Sequence, residues 1–173
     1  MVMTRSILTY GNQTLRKRAR AVSQVTPAMK RLADDMLESM YESNGIGLAA
    51  PQVGESIRLI VVDVSGGEEE KTRKPLVLFN PEILSSRGEI VAEEGCLSVP
   101  DVWADVTRPE SITLKALDRD GNPLEFKNVD GILARCIQHE IDHLDGILFV
   151  DKISNTDRML NEAKLKKLAR GNK

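Results

Sequence analysis

His139-Glu140-Ile141-Asp142-His143 sets two histidines four residues apart with a glutamate directly after the first. On a helix, positions i and i+4 share one face, so both imidazoles can reach a single ion. The plainer alternative is a surface pair near a helix end, stabilised by the helix dipole. An ion that activates water takes about three protein ligands and keeps one position open, so a further donor is required. It cannot be histidine, because the chain has only two. The longer pattern H-E-x-x-H-x-x-G-x-x-H fits as far as Gly146 but ends on Phe149. Cys136 lies one turn before His139 but seven residues from His143, roughly 10 Å of helix rise, so one ion cannot bond all three in line. Cys96, from the distant segment Glu93–Pro100, is the remaining thiol. It completes a His2Cys site built from a helix and a loop, unless it is a buried small hydrophobe, the commoner fate of a lone cysteine.

The elements that must position these groups read as follows. Thr26-Pro27 starts a helix carrying Met29, Leu32, Ala33, Met36, Leu37, Met40 and Tyr41 at helical spacing, stopping near Asn44-Gly45. Small residues follow over 45–54, where glycines permit close approach of the backbone. Ile57–Val64 and Leu76–Phe79 read as strands, separated by an exposed loop whose acidic cluster, over 65–70, is solvated. Ile112, Leu114 and Ala116 alternate with polar residues before the turn Asp118-Arg119-Asp120-Gly121, and Leu124–Val129 returns. Asp130 is placed to cap a helix over about 131–144, with Gly146 ending it. A last helix spans about 156–170, with Glu162 and Lys166 paired. Helices among short antiparallel strands give an α+β class, with the histidine-bearing helix central, a core helix before it and a basic helix after it. One domain over 1–173 is expected.

Composition narrows the function classes. Lys+Arg total 24 against 26 Asp+Glu, a net charge of -2, so no polycationic field is available for direct DNA binding. Hydrophobic residues at 41% without a run of about 18 exclude both disorder and a membrane span. Two cysteines outside any C-x-x-C fit a reduced, cytoplasmic setting. The first 33 residues hold seven basic and no acidic side chains, which could mimic an organellar transit segment, although they merge directly into the first helix.

Three segments, Gly45-Ile46-Gly47-Leu48-Ala49-Ala50-Pro51-Gln52, Glu94-Gly95-Cys96-Leu97-Ser98 and Gln138–His143, together resemble the three signature motifs of the peptide deformylase family, in the same order. The likeness extends to Ile7-Leu8, Leu15-Arg16 and the Leu117–Gly121 hairpin. It implies removal of the formyl group from the initiator formyl-methionine of nascent polypeptides. By that likeness Cys96, His139 and His143 bind one divalent metal, Fe2+ in the first instance, with Zn2+, Ni2+ or Co2+ as substitutes. Glu140 is the implied general base and acid, and Gln52 and the Leu97 N–H the implied oxyanion donors. Ile46, Gly47 and Gly95 are implied to meet an extended peptide by strand addition. Ile132 and Cys136, seven and three residues before His139, share its helix side and are expected either in the methionine pocket or in the core. Glu94 and Arg108 match positions that usually pair behind the metal ligands. Trp103 departs from the basic residue some relatives carry there, and is expected either to cover the peptide or to pack on the sheet. From Arg158 onward six basic residues face one acid, which fits ribosome docking as in some bacterial relatives, or a solvated helix. Two rival functions are an H-E-x-x-H endopeptidase and a structural metal module that binds peptides; the second lacks a fourth Cys or His.

Overall fold

The computed structural model describes residues 2–66 and 70–171, so Gly67, Glu68 and Glu69 of the expected acidic loop lie outside the described residues. Helix α1 spans Pro27–Glu42. The Thr26 hydroxyl accepts from the Met29 N–H at 3.3 Å, and proline at the first helical position gives up no intrahelical bond. The helix is closed by Asn44 at φ 54°, a left-handed conformation asparagine tolerates. The chain continues through β1 (Gly47–Ala49), a 3-10 turn over Ala50–Val53, β2 (Leu59–Val62) and β3 (Leu76–Arg87). Next come β4 (Ile90–Cys96), β5 (Val99–Arg108), β6 (Ser111–Leu117) and β7 (Pro123–Val129). Helix α2 (Gly131–Leu144) and helix α3 (Asn155–Arg170) complete the chain.

Five strands form an antiparallel sheet in the order β1-β2-β3-β6-β7, and among the described residues β4 pairs only with β5. The unbroken apolar run of β2 follows from its place between two helices. Leu59 and Val61 pack toward Met36 and Met40 of α1, whereas Ile60 and Val62 pack toward Ile137 and Ile141 of α2. Both faces are covered, so no polar alternation is needed. α2 packs on one face of this sheet with residues 136–141 all buried, and the α+β arrangement around a central helix is the one expected. The turn at Asp118 also forms as read, with the Gly121 N–H donating to the Asp118 carbonyl at 3.0 Å and Gly121 at φ 87°.

Three expectations are corrected. β3 runs on to Arg87 instead of stopping at Phe79, continuing past register shifts opposite β6. The segment holding Cys96 is no irregular loop: it is the end of β4, in a hairpin whose turn is Leu97-Ser98. Neither turn residue has positive φ, so the Asn-Gly signal of a primed turn is missing, and a bulge between Glu94 and Cys96 accommodates the join. Asp130 precedes α2 but makes no side-chain capping bond. Helix α3 does obtain its cap: the Ser154 hydroxyl accepts from the Asp157 N–H at 3.0 Å, and Leu165 and Leu168 dock the helix on the β5 cluster with Val102 and Phe149.

Candidate metal centre

His139 and His143 sit one turn apart on the buried face of α2, with ring centroids 5.1 Å apart. β4 delivers Cys96 to the same place, its Sγ 3.2 Å from His143 Nε2. One donor atom from each of Cys96, His139 and His143 lies within 4.8 Å of the others. One ion with bonds of about 2.0 to 2.3 Å can span such a triangle. Burial and the neighbouring His139 hold the His143 pKa well below its usual value, which keeps the imidazole in the neutral, ligating form. Cys136 lies apart from the three donors. Its thiol is 3.5 Å from the Ile46 carbonyl oxygen, and burial beside Glu140 raises its pKa, so it stays neutral.

Behind the ligands stands Glu94, buried on β4. Its Oε2 accepts from His139 Nδ1 at 2.9 Å, which turns the other ring nitrogen toward the thiol. The same carboxylate accepts from Arg108 Nε at 2.5 Å, Arg108 Nη2 at 3.0 Å and Arg135 Nη1 at 2.7 Å. Burial acts to raise the Glu94 pKa, but the bonds from His139 and Arg108 outweigh it and hold the group at about 2. The pairing of Glu94 with Arg108 was expected; Arg135 and Asp142 were missed. Asp142 accepts from Arg108 Nη1 at 2.8 Å. The signal for Arg135 was available, since it lies four residues before His139 and therefore on the same side of α2.

Glu140 points into the space beside the three donors. It is buried, and its Oε2 has no hydrogen-bond partner among the described residues. Burial pushes its carboxyl up to about 7, with His139 and Arg108 opposing. The β1 backbone lies directly against it: a Cβ added to Gly47 would fall 2.6 Å from both Glu140 Oε1 and Cys136 Sγ. Gln52, in the 3-10 turn, accepts from the Ala49 N–H through Oε1 at 2.8 Å. Its Nε2 donates to Ser98 Oγ at 3.0 Å and lies 3.6 Å from Cys96 Sγ. Ser98 is a third missed residue; it stands in the segment Glu94–Ser98, but nothing in its type or spacing gave it a role.

These groups open onto a cavity of about 550 Å³. Glu140, Gln52 and Cys136 line it together with Ile46, Gly95 and Leu97. Ile132 and Trp103 also border it, both largely exposed. A Cβ on Gly95 would lie 2.5 Å from the Trp103 indole, so the ring packs on that glycine of β4, with 63% of the residue exposed at the cavity's edge. No helix among the described residues is long and apolar enough to cross a membrane.

An antiparallel α+β frame that brings two helix histidines, one strand cysteine and a buried glutamate to an open cavity defines a metal-dependent hydrolase class. The Polypeptide deformylase family model matches residues 4–159. A peptide deformylase of Alkalilimnicola ehrlichii is 52% identical over 164 residues, covering 95% of this chain and 90% of that protein. The crystal structure of a peptide deformylase from Legionella pneumophila superposes with a TM-score of 0.87 at 47% identity, covering 96% of each chain. That of the Synechococcus elongatus peptide deformylase, a complex with actinonin, gives 0.85 at 45% identity, covering 93% of this chain and 86% of that one. The chain belongs to the peptide deformylase family.

Proposed function

We propose that this chain hydrolyses the N-formyl group of formyl-methionyl nascent peptides and releases formate. The observation that carries the reading is the convergence of Cys96, His139 and His143 beside the unpartnered Glu140 carboxylate, at an open cavity. A divalent ion held there supplies a Lewis acid and lowers the pKa of water toward neutrality. Cys96, His139 and His143 hold it, and Glu94 keeps the His139 ring in the ligating tautomer. Iron(II) is the proposed resident, and the thiolate and imidazole donors also accept zinc, nickel or cobalt.

Glu140 takes the proton of the attacking water, for which a carboxyl near 7 suits the working pH. Water oxygen bonds to the formyl carbon, negative charge collects on the formyl oxygen, and Gln52 Nε2–H and the Leu97 N–H donate to it. Glu140 then returns the proton to the amine as the C–N bond breaks, giving formate and a free methionine amino group. Ile46, Gly47 and Gly95 present backbone to the extended peptide, a mode that is indifferent to the sequence after methionine. Ile132 and Cys136 wall the methionine side chain. The basic side of α3 is the proposed contact with ribosomal RNA phosphates, in the cytoplasm.

Anaerobic metal analysis coupled to formate release from a short formyl-methionyl peptide tests the reading. Glu140→Gln keeps the metal and loses about 10² to 10⁴ in kcat. An equal rate on the unformylated peptide, by internal cleavage, sinks this reading in favour of an endopeptidase.

A further inference from the structure

We infer that Ser98 is a positioning residue for the reaction proposed above, fixing the Gln52 carboxamide through its hydroxyl; the inference rests on that reading. Gln52 and Ser98 are both buried, at 1% and 0% exposure. They belong to different elements, the 3-10 turn after β1 and the turn between β4 and β5.

A carboxamide has an accepting end and a donating end of almost equal size, so its orientation must be set by neighbours. Here Ala49 sets it, because its N–H donates to Oε1 at 2.8 Å, and a flipped amide would bring donor against donor. That leaves two hydrogens on Nε2. Ser98 Oγ accepts one at 3.0 Å. The other points at Cys96 Sγ, 3.6 Å away, an ordinary hydrogen-bond length for the larger and weaker sulfur acceptor. The amide plane is therefore pinned at both ends, and its second hydrogen faces the corner where charge develops, held there only by the weak sulfur acceptor.

With alanine at position 98 the amide keeps the Ala49 contact at Oε1 but only the weak Cys96 Sγ contact at Nε2, and it can swing about its last torsion. Such a donor acts on the developing oxyanion more than on the bound peptide, so its misplacement appears in kcat and not in KM. A loss of about tenfold is expected, the scale of one well-placed hydrogen bond.

Ser98 also touches the metal ligand, since its backbone N–H lies 3.4 Å from Cys96 Sγ. The substitution leaves that N–H in place, which separates the two contacts. The test is a cycle of wild type, Ser98→Ala, Gln52→Ala and the double variant, with kcat and KM for a short formyl-methionyl peptide and metal content for each. The expected result is a kcat about tenfold lower in Ser98→Ala, with KM and metal content unchanged and no further loss when it is added to Gln52→Ala. Additive losses, a Ser98→Ala rate equal to wild type, or metal loss in Ser98→Ala each overturn the inference. A wild-type protein that binds metal but releases no formate overturns the functional reading instead.

Discussion

Glu94→Gln removes one formal charge from a carboxylate that serves three cationic or donor side chains at once while changing almost no volume. Oε1 serves Arg108 Nε and Arg135 Nη1, and Oε2 serves Arg108 Nη2 and His139 Nδ1. Glutamine has one acceptor to offer, so its NH2 group must face two donors whichever way it turns. If it faces His139, the imidazole proton moves to the nitrogen that should bind the ion; if it faces the arginines, two guanidinium bonds are lost.

Removing one partner from a buried ion pair costs about 3 to 5 kcal/mol. The low end applies here, because Arg108 keeps Asp142, and Arg135 keeps the Val106 and Ile90 carbonyls at 3.0 and 2.8 Å. Proton linkage gives a similar figure. A carboxyl held at about 2 against an ordinary 4.5 corresponds to about 3 kcal/mol. A depressed acid stabilises the fold above its unfolded pKa, and that contribution is lost as pH falls from about 4.5 through about 2. Urea denaturation at pH 7 should therefore show the variant about 3 kcal/mol less stable, with a weaker decline in stability between those two pH values. Chelator competition should show metal affinity reduced by about 10 to 100-fold. A variant within about 1 kcal/mol of wild type that holds metal equally well would falsify the assignment of Glu94 as the hub of this network.

Gly47→Ala meets no barrier from positive φ but places a methyl 2.6 Å from Glu140 Oε1, so overpacking of about 1 to 3 kcal/mol and at least a tenfold drop in kcat are expected from melting curves and formate release. Removing the metal with a chelator should lower the melting temperature, and readdition should restore it in proportion to the logarithm of free metal, because the ion binds only the folded triad. Leu165→Ala, which empties the main anchor of α3 on the β5 cluster, should cost about 2 to 4 kcal/mol by urea denaturation while leaving kcat within about twofold.

What could be read from the chain alone follows where local chemistry dominates. Thr26-Pro27, the Asp118–Gly121 turn and the four-residue spacing of the two histidines each act within one turn of backbone, and each appears where its residues place it. Within the β4–β5 hairpin, β5 alternates as a strand should, with Val102, Ala104 and Val106 inward, but β4 is hidden because its pattern is inverted by function. Glu94 is buried where a strand core should be apolar, Ile90 and Val91 are exposed, and the turn lacks glycine and asparagine. A strand that spends its inward position on a carboxylate no longer looks like one.

The site divides along the same line. Residues that act through type and spacing, such as His139, Glu140 and His143, stand out, and Cys96 follows once ligands are counted. Arg135, Asp142 and Ser98 act only through contacts between segments far apart in the chain: Arg135 reaches β4 from α2, Asp142 takes Arg108 from β5, and Ser98 meets a 3-10 turn 46 residues earlier. Helical spacing puts Arg135 on the His139 side of α2, and Asp142 and Ser98 stand within the signature segments, but spacing along the chain does not name the partner each one meets. The consequence is physical. The ligands themselves are set by one helix and one strand end, but the tautomer of His139 and the direction of the Gln52 amide are set by tertiary contacts. Substitutions at Arg135 or Ser98 should therefore disturb the chemistry while Cys96, His139 and His143 still hold the ion, whereas those at Glu94 weaken that hold as well.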